Sequence, residues 1–145
     1  MNFVQVASTV FQAFEREGLR YAVIGGFALG FWGVERSTTD IDFLLFIEDD
    51  TKADQLLTSY GYHAIYRTDN VAQYESGDSD LGSLDIIFAF REVSTQMLSR
   101  SVVFKLTPTV KFRVLVPEDI IGLKLQALCN ETHNDFIKIT LIYRR

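Results

Sequence analysis

The sequence lacks three features that would each place the chain in a particular class: a second cysteine, an excess of positive charge, and a long apolar run. With Cys129 alone, no disulfide can form within the chain, which fits a reducing compartment and a small thiol in the core. A formal net charge of −5 argues against a broad basic surface for duplex nucleic acid. The uncharged run 21–34 contains glycines and is shorter than a bilayer span.

The rest of the composition is that of an ordinary soluble protein. Hydrophobic residues make up 48% of the 145 positions and charged residues 23%, and no repeat, linker or low-complexity segment is present. The first residues carry no basic stretch of the kind that opens a signal peptide. We therefore expect residues 1–145 to form one cytoplasmic domain around one core, without a membrane segment.

Hydrophobic periodicity and turn residues predict that helices and strands are interspersed along the chain. The predicted helices cover residues 3–14, 27–32, 53–60, 92–99 and 117–129, and Asp49, Asp50 or Thr51 is expected to cap the third. The predicted strands cover residues 20–24, 40–46, 62–67, 71–75, 84–90, 102–104 and 112–116. This order predicts an α/β (α+β) fold in which helices pack against a mixed β-sheet.

Two aspartates, Asp40 and Asp42, are the most informative residues of the chain. Successive side chains of a strand point to opposite faces, so both carboxylates project from one face while Ile41 and Phe43 pack on the other. Adjacent carboxylates repel each other unless a cation neutralises them, and their oxygens suit a hard ion such as Mg²⁺. The alternative is that Asp-x-Asp only forms a turn or a strand edge.

The flanking sequence favours the metal site over the turn. Gly25 and Gly26 separate a short strand from an apolar segment of helix length, and this arrangement is typical of phosphate binding, because residues without Cβ let the backbone approach an anion. Downstream, Asp85 is the single acid in an otherwise apolar strand. A buried carboxylate is costly without a counter-charge, so Asp85 is expected to face a metal or another cation.

The spacing of Gly25-Gly26 and Asp40-Ile41-Asp42 resembles that of the nucleotidyltransferase fold, which DNA polymerase beta-like enzymes share with many small bacterial transferases. Segments 25–43 and 116–128 are similar to the AbiEii-type branch, which often supplies the toxin of a toxin–antitoxin pair. The resemblance implies that an acceptor hydroxyl attacks the α-phosphorus of a nucleoside triphosphate and that pyrophosphate leaves. The acceptor stays open between a tRNA end, a protein hydroxyl and a small molecule, and an antitoxin is an expected partner.

The resemblance also implies roles for individual residues. Asp40 and Asp42 would bridge two Mg²⁺ ions, or Mn²⁺, roughly 3.5–4 Å apart, and Asp85 would complete the acceptor-side site and take the proton. Gly25 and Gly26 would cradle the β- and γ-phosphates. Weaker candidates for phosphate contact are Arg36, which is equally plausible as a solvated loop residue, Thr38, which is equally plausible as a turn hydroxyl, and Lys124.

Lys124 lies on the predicted helix 117–129, where Ile121, Leu125 and Leu128 form an apolar stripe that includes the lysine. A lysine in such a stripe either extends its ammonium group to water or reaches an anion. The resemblance favours the anion, since its late Leu-Lys-x-x-Ala motif matches residues 123–127.

The end of the chain departs from the family pattern. A Lys-Asp-x-x-Asp motif is half present, because Asp135 matches while Asn134 and Lys138 replace its first and last residues. A second hypothesis is therefore a weakly active or inactive binding or regulatory module; a plain metal-binding domain is a third, which leaves the glycine pair unexplained. Residues 136–143 are rich in apolar side chains and fit either a helix or a strand, so they are expected to mediate self-association or to complete the core.

Overall fold

The computed structural model describes residues 1–34 and 40–129, and a seven-stranded sheet forms its centre. The strands are β1 (Tyr21–Ile24), β2 (Asp40–Phe46), β3 (Tyr62–Arg67), β4 (Val71–Ser76), β5 (Ser83–Ala89), β6 (Val102–Lys105) and β7 (Lys111–Val114). They lie in the order β3-β4-β5-β2-β1-β7-β6, with β2 parallel to β5, β1 parallel to β7, and the other neighbours antiparallel. The predicted mixed sheet is confirmed.

Five helices accompany the sheet in the described residues. The first, α1, is α-helical over Phe3–Val6 and Gln12–Arg16 and π-helical over Ala7–Phe11. The others are α2 (Gly25–Phe31), α3 (Asp50–Ser59), α4 (Glu92–Ser99) and α5 (Pro117–Cys129), and a short 3-10 turn at Ile47–Asp49 precedes α3. None of these helices is long and apolar enough to cross a membrane.

One face of the sheet packs on α1 through aromatic side chains. Phe11 stacks on Tyr21 of β1 with the ring centroids 5.4 Å apart, and it meets Phe43 of β2 edge-on at 5.7 Å. All three rings are buried, so they remove a large apolar area from water and fix α1 across the sheet. We call this side the α1 face. Because side chains alternate along a strand, Asp40 and Asp42 lie on the opposite side, which we call the acidic face.

The predicted cap of the third helix is wrong. This helix begins at Asp50 rather than residue 53, and no side-chain hydrogen bond caps it. Asp50 instead accepts two hydrogen bonds from the guanidinium of Arg67, at 3.0 and 2.7 Å, while Asp49 accepts one from the backbone N–H of Arg20 at 2.9 Å. A bidentate contact with arginine competes successfully for the carboxylate, and it ties α3 to β3.

The orientation of α5 also differs from the predicted one. Its buried apolar side chains within residues 117–126 are Ile120 and Leu123, whereas Ile121 and Leu125 of the predicted stripe are 57% and 56% exposed. The helix is held in this rotation partly by Asp119, which accepts two hydrogen bonds from Arg100 at 2.9 and 2.8 Å. The side chain of Leu128 and residues 130–145, including the predicted motif around Asp135 and the apolar tail, lie outside the described residues.

Candidate active site

The beginning of β2 places Asp40 and Asp42 on the acidic face, as the alternation predicted. Ile41 and Phe43 lie on the α1 face and are fully buried, so they set the register of the strand against the core. Asp40 is half-buried at the first position of β2, the central strand of the sheet, and Asp42 lies two residues further along the strand, where it is only 3% exposed.

Asp85 lies directly beside Asp42. The two residues are partners in the parallel pair of β2 with β5, so their side chains emerge from the same face on adjacent strands. Asp85 is 2% exposed, and its immediate neighbours in β5, Leu84 and Ile86, are apolar and buried. Two buried carboxylates are therefore neighbours, an arrangement that repels itself unless a positive charge is shared between them.

The backbone at Gly25 is adapted to this pair. Gly25 has a φ of 71°, in the left-handed region that favours glycine. A Cβ on this residue would overlap Oδ2 of Asp42 and stand 3.2 Å from the Cβ of the same aspartate. Glycine is therefore favoured here for two reasons: the backbone has a positive φ, and the Asp42 carboxylate fills the space that a side chain would need.

The other predicted nucleotide-binding residues are Gly26, Lys124, Arg36 and Thr38. Gly26 is buried in the first turn of α2, which begins at Gly25 rather than residue 27 as the sequence predicted. Lys124 is exposed on α5 and makes no ion pair within the described residues. Arg36 and Thr38 lie outside the described residues, so their contact with phosphate stays a prediction.

Sequence reasoning missed two polar neighbours of the aspartates. Ser83 of β5 is the strand partner of Asp40, and Gln73 of β4, half-buried, is the partner of Asp85. Both belong to the acidic face because directly opposed residues share a face. No local pattern marks these residues, since only the order and register of the strands bring them beside the carboxylates.

The three carboxylates supply some of the oxygen ligands that a hard divalent cation needs. Asp42, Asp85 and Asp40 offer carboxylate oxygens on one face, and Gly25 leaves room for one of those carboxylates against the backbone. Within residues 1–34 and 40–129, no three acidic, histidine or cysteine side chains are close enough together to complete a metal site by themselves. Phosphate oxygens and water would therefore fill the remaining positions, as is usual for Mg²⁺.

The fold is similar to that of several solved structures. TM1012 of Thermotoga maritima, provisionally described as a nucleotidyltransferase, superposes with a TM-score of 0.68 at 17% identity, over 94% of this chain and 91% of its own. The lincosamide antibiotic adenylyltransferase LnuA gives a TM-score of 0.60 at 15% identity, over 81% and 83% of the two chains. ANT(2'')-Ia, solved with adenylyl-2''-tobramycin, gives 0.63 at 16% identity, over 97% and 86%. The chain has the fold of these nucleotidyltransferases.

No protein-family model matches the sequence, and no curated protein sequence matches it. Identities of 15–17% establish the fold, while the activity has to be argued from the residues themselves. The finer likeness to AbiEii-type proteins stays a prediction.

Proposed function

We propose that this chain is a divalent-metal-dependent nucleotidyltransferase, which moves a nucleoside monophosphate from a nucleoside triphosphate to an acceptor hydroxyl. The observation that carries the proposal is the pairing of Asp42 with Asp85, with Asp40 on the same face and the backbone of Gly25 against the Asp42 carboxylate. Transfer of a nucleotidyl group needs carboxylates that hold divalent ions against a triphosphate. The carboxylates of β2 and β5 on the acidic face supply these groups, and the strands that carry them are rigid.

The three aspartates would have different tasks. Asp40 and Asp42 would hold Mg²⁺ or Mn²⁺, which when bound neutralises phosphate charge and makes an acceptor hydroxyl easier to deprotonate. Asp85, on the neighbouring strand, would complete the metal site on the acceptor side and accept the proton of the acceptor hydroxyl. An oxygen–phosphorus bond then forms to the acceptor while the bond to pyrophosphate breaks. Gly25 and Gly26 would cradle the β- and γ-phosphates, with Arg36, Thr38 and Lys124 as further phosphate contacts.

A small-molecule hydroxyl is the acceptor that we propose to test first. Two structures with this fold were solved with lincomycin and with adenylyl-2''-tobramycin, both of which are small molecules. The net charge of −5 supports this choice over a long nucleic acid, which would need a basic surface. A tRNA end and a protein hydroxyl are the alternative acceptors.

Nucleotide binding is the first test. Calorimetry with ATP, GTP, CTP and UTP should show that at least one triphosphate binds in MgCl₂ and at least about tenfold more weakly in EDTA. Asp42→Asn should lose the metal-dependent part of the affinity, whereas Asp69→Asn, at an exposed loop position, should keep it. Equal affinity with and without Mg²⁺ would refute metal-dependent binding. Tight binding without release of pyrophosphate in the presence of acceptors would favour the regulatory module.

We also propose, from the likeness to the AbiEii-type branch, that the chain acts as a toxin with a separate antitoxin partner. Induced expression in a bacterial host should then arrest growth, and Asp42→Asn should not. Identical growth of cells that express the two proteins at equal levels would contradict a toxin role without affecting the transferase proposal.

A further inference from the structure

A cavity of about 760 Å³ lies at the other end of the sheet from the aspartates. It is bordered by the end of α1, the beginning of β1, the end of β2, the last turns of α4 and the middle of β7. Phe46, one of its lining residues, follows Asp42 by four positions on the same strand and therefore lies about 13 Å from it along β2. The volume is within the range that binds small molecules, and the cavity is separate from the candidate active site.

Two opposite charges line this cavity around a buried tyrosine. The hydroxyl of Tyr21 donates to Oε1 of Glu15 at 3.1 Å and accepts from the backbone N–H of Arg113 at 3.2 Å. Burial, reinforced by the Glu15 carboxylate, raises the pKa of Tyr21, so the hydroxyl keeps its proton and holds Glu15 in place. Both Glu15 and Arg113 are half-buried, and both line the cavity.

The charges of Glu15 and Arg113 are not neutralised by ion pairs within the described residues. Within the part of the chain that the structure describes, the Arg113 guanidinium donates only through Nη1, at 3.4 and 3.3 Å to the carbonyl and hydroxyl oxygens of Ser101. Its other N–H groups are left for a ligand. A third charged residue, Arg20, also lines the cavity, but its charge already has partners. Its guanidinium forms an ion pair with Asp49 at 3.3 Å and lies over the ring of Phe46.

The helix that borders the cavity adds acceptors beside these charges. The hydroxyls of Thr95 and Ser99 on α4 donate to the helix carbonyls of Glu92 and Gln96 at 2.9 and 2.6 Å. Their oxygen lone pairs are therefore what they offer to a ligand, and lone pairs suit an ammonium group. Leu19 and Leu98 provide apolar lining in the same cavity.

We propose that this cavity binds a small zwitterion with an apolar body, an α-amino acid with a hydrophobic side chain. Its ammonium group is placed at Glu15, its carboxylate at Arg113, and its side chain along Leu19 and Leu98. A simple anion would meet the Glu15 carboxylate, a simple cation would meet the Arg113 guanidinium, and an apolar ligand would remove both charges from water without replacing their partners. This inference does not depend on the proposed transferase activity.

The test uses L-phenylalanine with two analogues that each lack one charge. Calorimetry on the intact chain should show binding of L-phenylalanine that is at least about tenfold tighter than that of 3-phenylpropionate, which lacks the ammonium group, and of phenethylamine, which lacks the carboxylate. The amide signals of Ser99 and Arg113 should shift in a ¹⁵N–¹H spectrum, and those of Gly26 and Asp85 should not.

Variants then connect each charge of the ligand to one residue. Glu15→Gln retains an oxygen for the Tyr21 hydroxyl and should weaken L-phenylalanine about tenfold, while 3-phenylpropionate should bind as tightly or more tightly because the carboxylate that repels it is gone. Arg113→Gln should weaken L-phenylalanine, while phenethylamine should bind as tightly or more tightly because the guanidinium that repels it is gone. Lys105→Gln, outside the cavity lining, is the matched control and should bind as the wild type does. No binding of L-phenylalanine at about 10 mM, equal affinity for all three probes, or shifts confined to the aspartates would overturn the proposal.

Discussion

The carboxylate of Asp42 occupies the space that a side chain on Gly25 would need. Gly25→Ala therefore adds a collision to the cost of a left-handed backbone, and we expect it to lower the free energy of unfolding by about 2–5 kcal/mol. Gly61→Ala is the matched control, because Gly61 also has a positive φ, 91°, while nothing lies within 4 Å of its added Cβ. It should cost about 1–2 kcal/mol. Urea unfolding measures both.

A double mutant isolates the contact between residues 25 and 42. In an Asp42→Ala background the carboxylate is gone and the Cβ of residue 42, 3.2 Å from the added Cβ, remains, so the cost of Gly25→Ala should fall to near that of Gly61→Ala. If Gly25→Ala already matches Gly61→Ala in the wild-type background, the aspartate moves aside at no cost, and the close approach does not constrain residue 25.

A different consequence follows from the burial of Asp42 beside Asp85. Asp42→Asn removes one of two adjacent negative charges, so without divalent ions the melting temperature should stay unchanged or rise. Adding MgCl₂ should raise the melting temperature of the wild type and leave that of Asp42→Asn nearly constant, since binding to the folded state alone is stabilising. Thermal unfolding in EDTA and in MgCl₂ checks both. A large loss of stability in EDTA would show that Asp42 has a structural role.

The placement of these acids could be predicted from sequence to the extent that it depends on local pattern. Alternation puts Asp40 and Asp42 on one face, and a lone acid among apolar residues marks Asp85. That β5 lies next to β2, with Asp85 in register with Asp42, is a tertiary fact that neither segment encodes alone. The same limit explains why Gln73 was missed.

The helix predictions failed where a tertiary contact outweighed a local preference. Asp50 is a plausible cap by residue type, yet Arg67, 17 positions later, binds it through two hydrogen bonds. Periodicity on α5 allowed more than one apolar stripe, and the contacts of Asp119 with Arg100 accompany burial of Ile120 rather than Ile121.

The cavity near Arg113 could not be predicted from the sequence for a related reason, because five separate elements line it.

Buried tyrosines make the fold sensitive to alkaline pH. Burial raises the pKa of Tyr21, Tyr62 and Tyr74, so the folded state keeps these phenols protonated. In the unfolded chain they ionise near their usual pKa of about 10. Their contribution to stability is therefore complete below pH about 10 and is lost as the pH rises above it, because the unfolded state then binds fewer protons.

The melting temperature should accordingly fall above pH about 10, and it should fall less steeply in Tyr21→Phe, which has no phenol to ionise at this position. Tyrosinate absorbance at 295 nm should rise in step with unfolding for the buried group. If that absorbance rises fully while the fold persists, the phenols ionise in place and the expected link between ionisation and unfolding is absent.

Self-association through residues 136–143 stays a prediction, and the surface of α5 adds a reason to test it. Ile121 and Leu125 are both more than half exposed on this helix, and the sequence that follows it contains six further apolar residues at positions 136, 137, 139, 141, 142 and 143. The two exposed side chains on α5 and the apolar composition of residues 136–143 together motivate the expectation that a second copy is the partner. The competing expectation is that residues 136–143 complete the core of their own chain.

Light scattering on the intact chain and on a chain that stops at Asn134 separates these expectations. A dimer that becomes a folded monomer on shortening would support self-association, and the double change Ile121→Ser with Leu125→Ser should then weaken the dimer without lowering the melting temperature of the monomer, because both side chains already contact water. A monomeric intact chain would eliminate the dimer. A shortened chain that fails to melt cooperatively would show that residues 135–145 belong to the core.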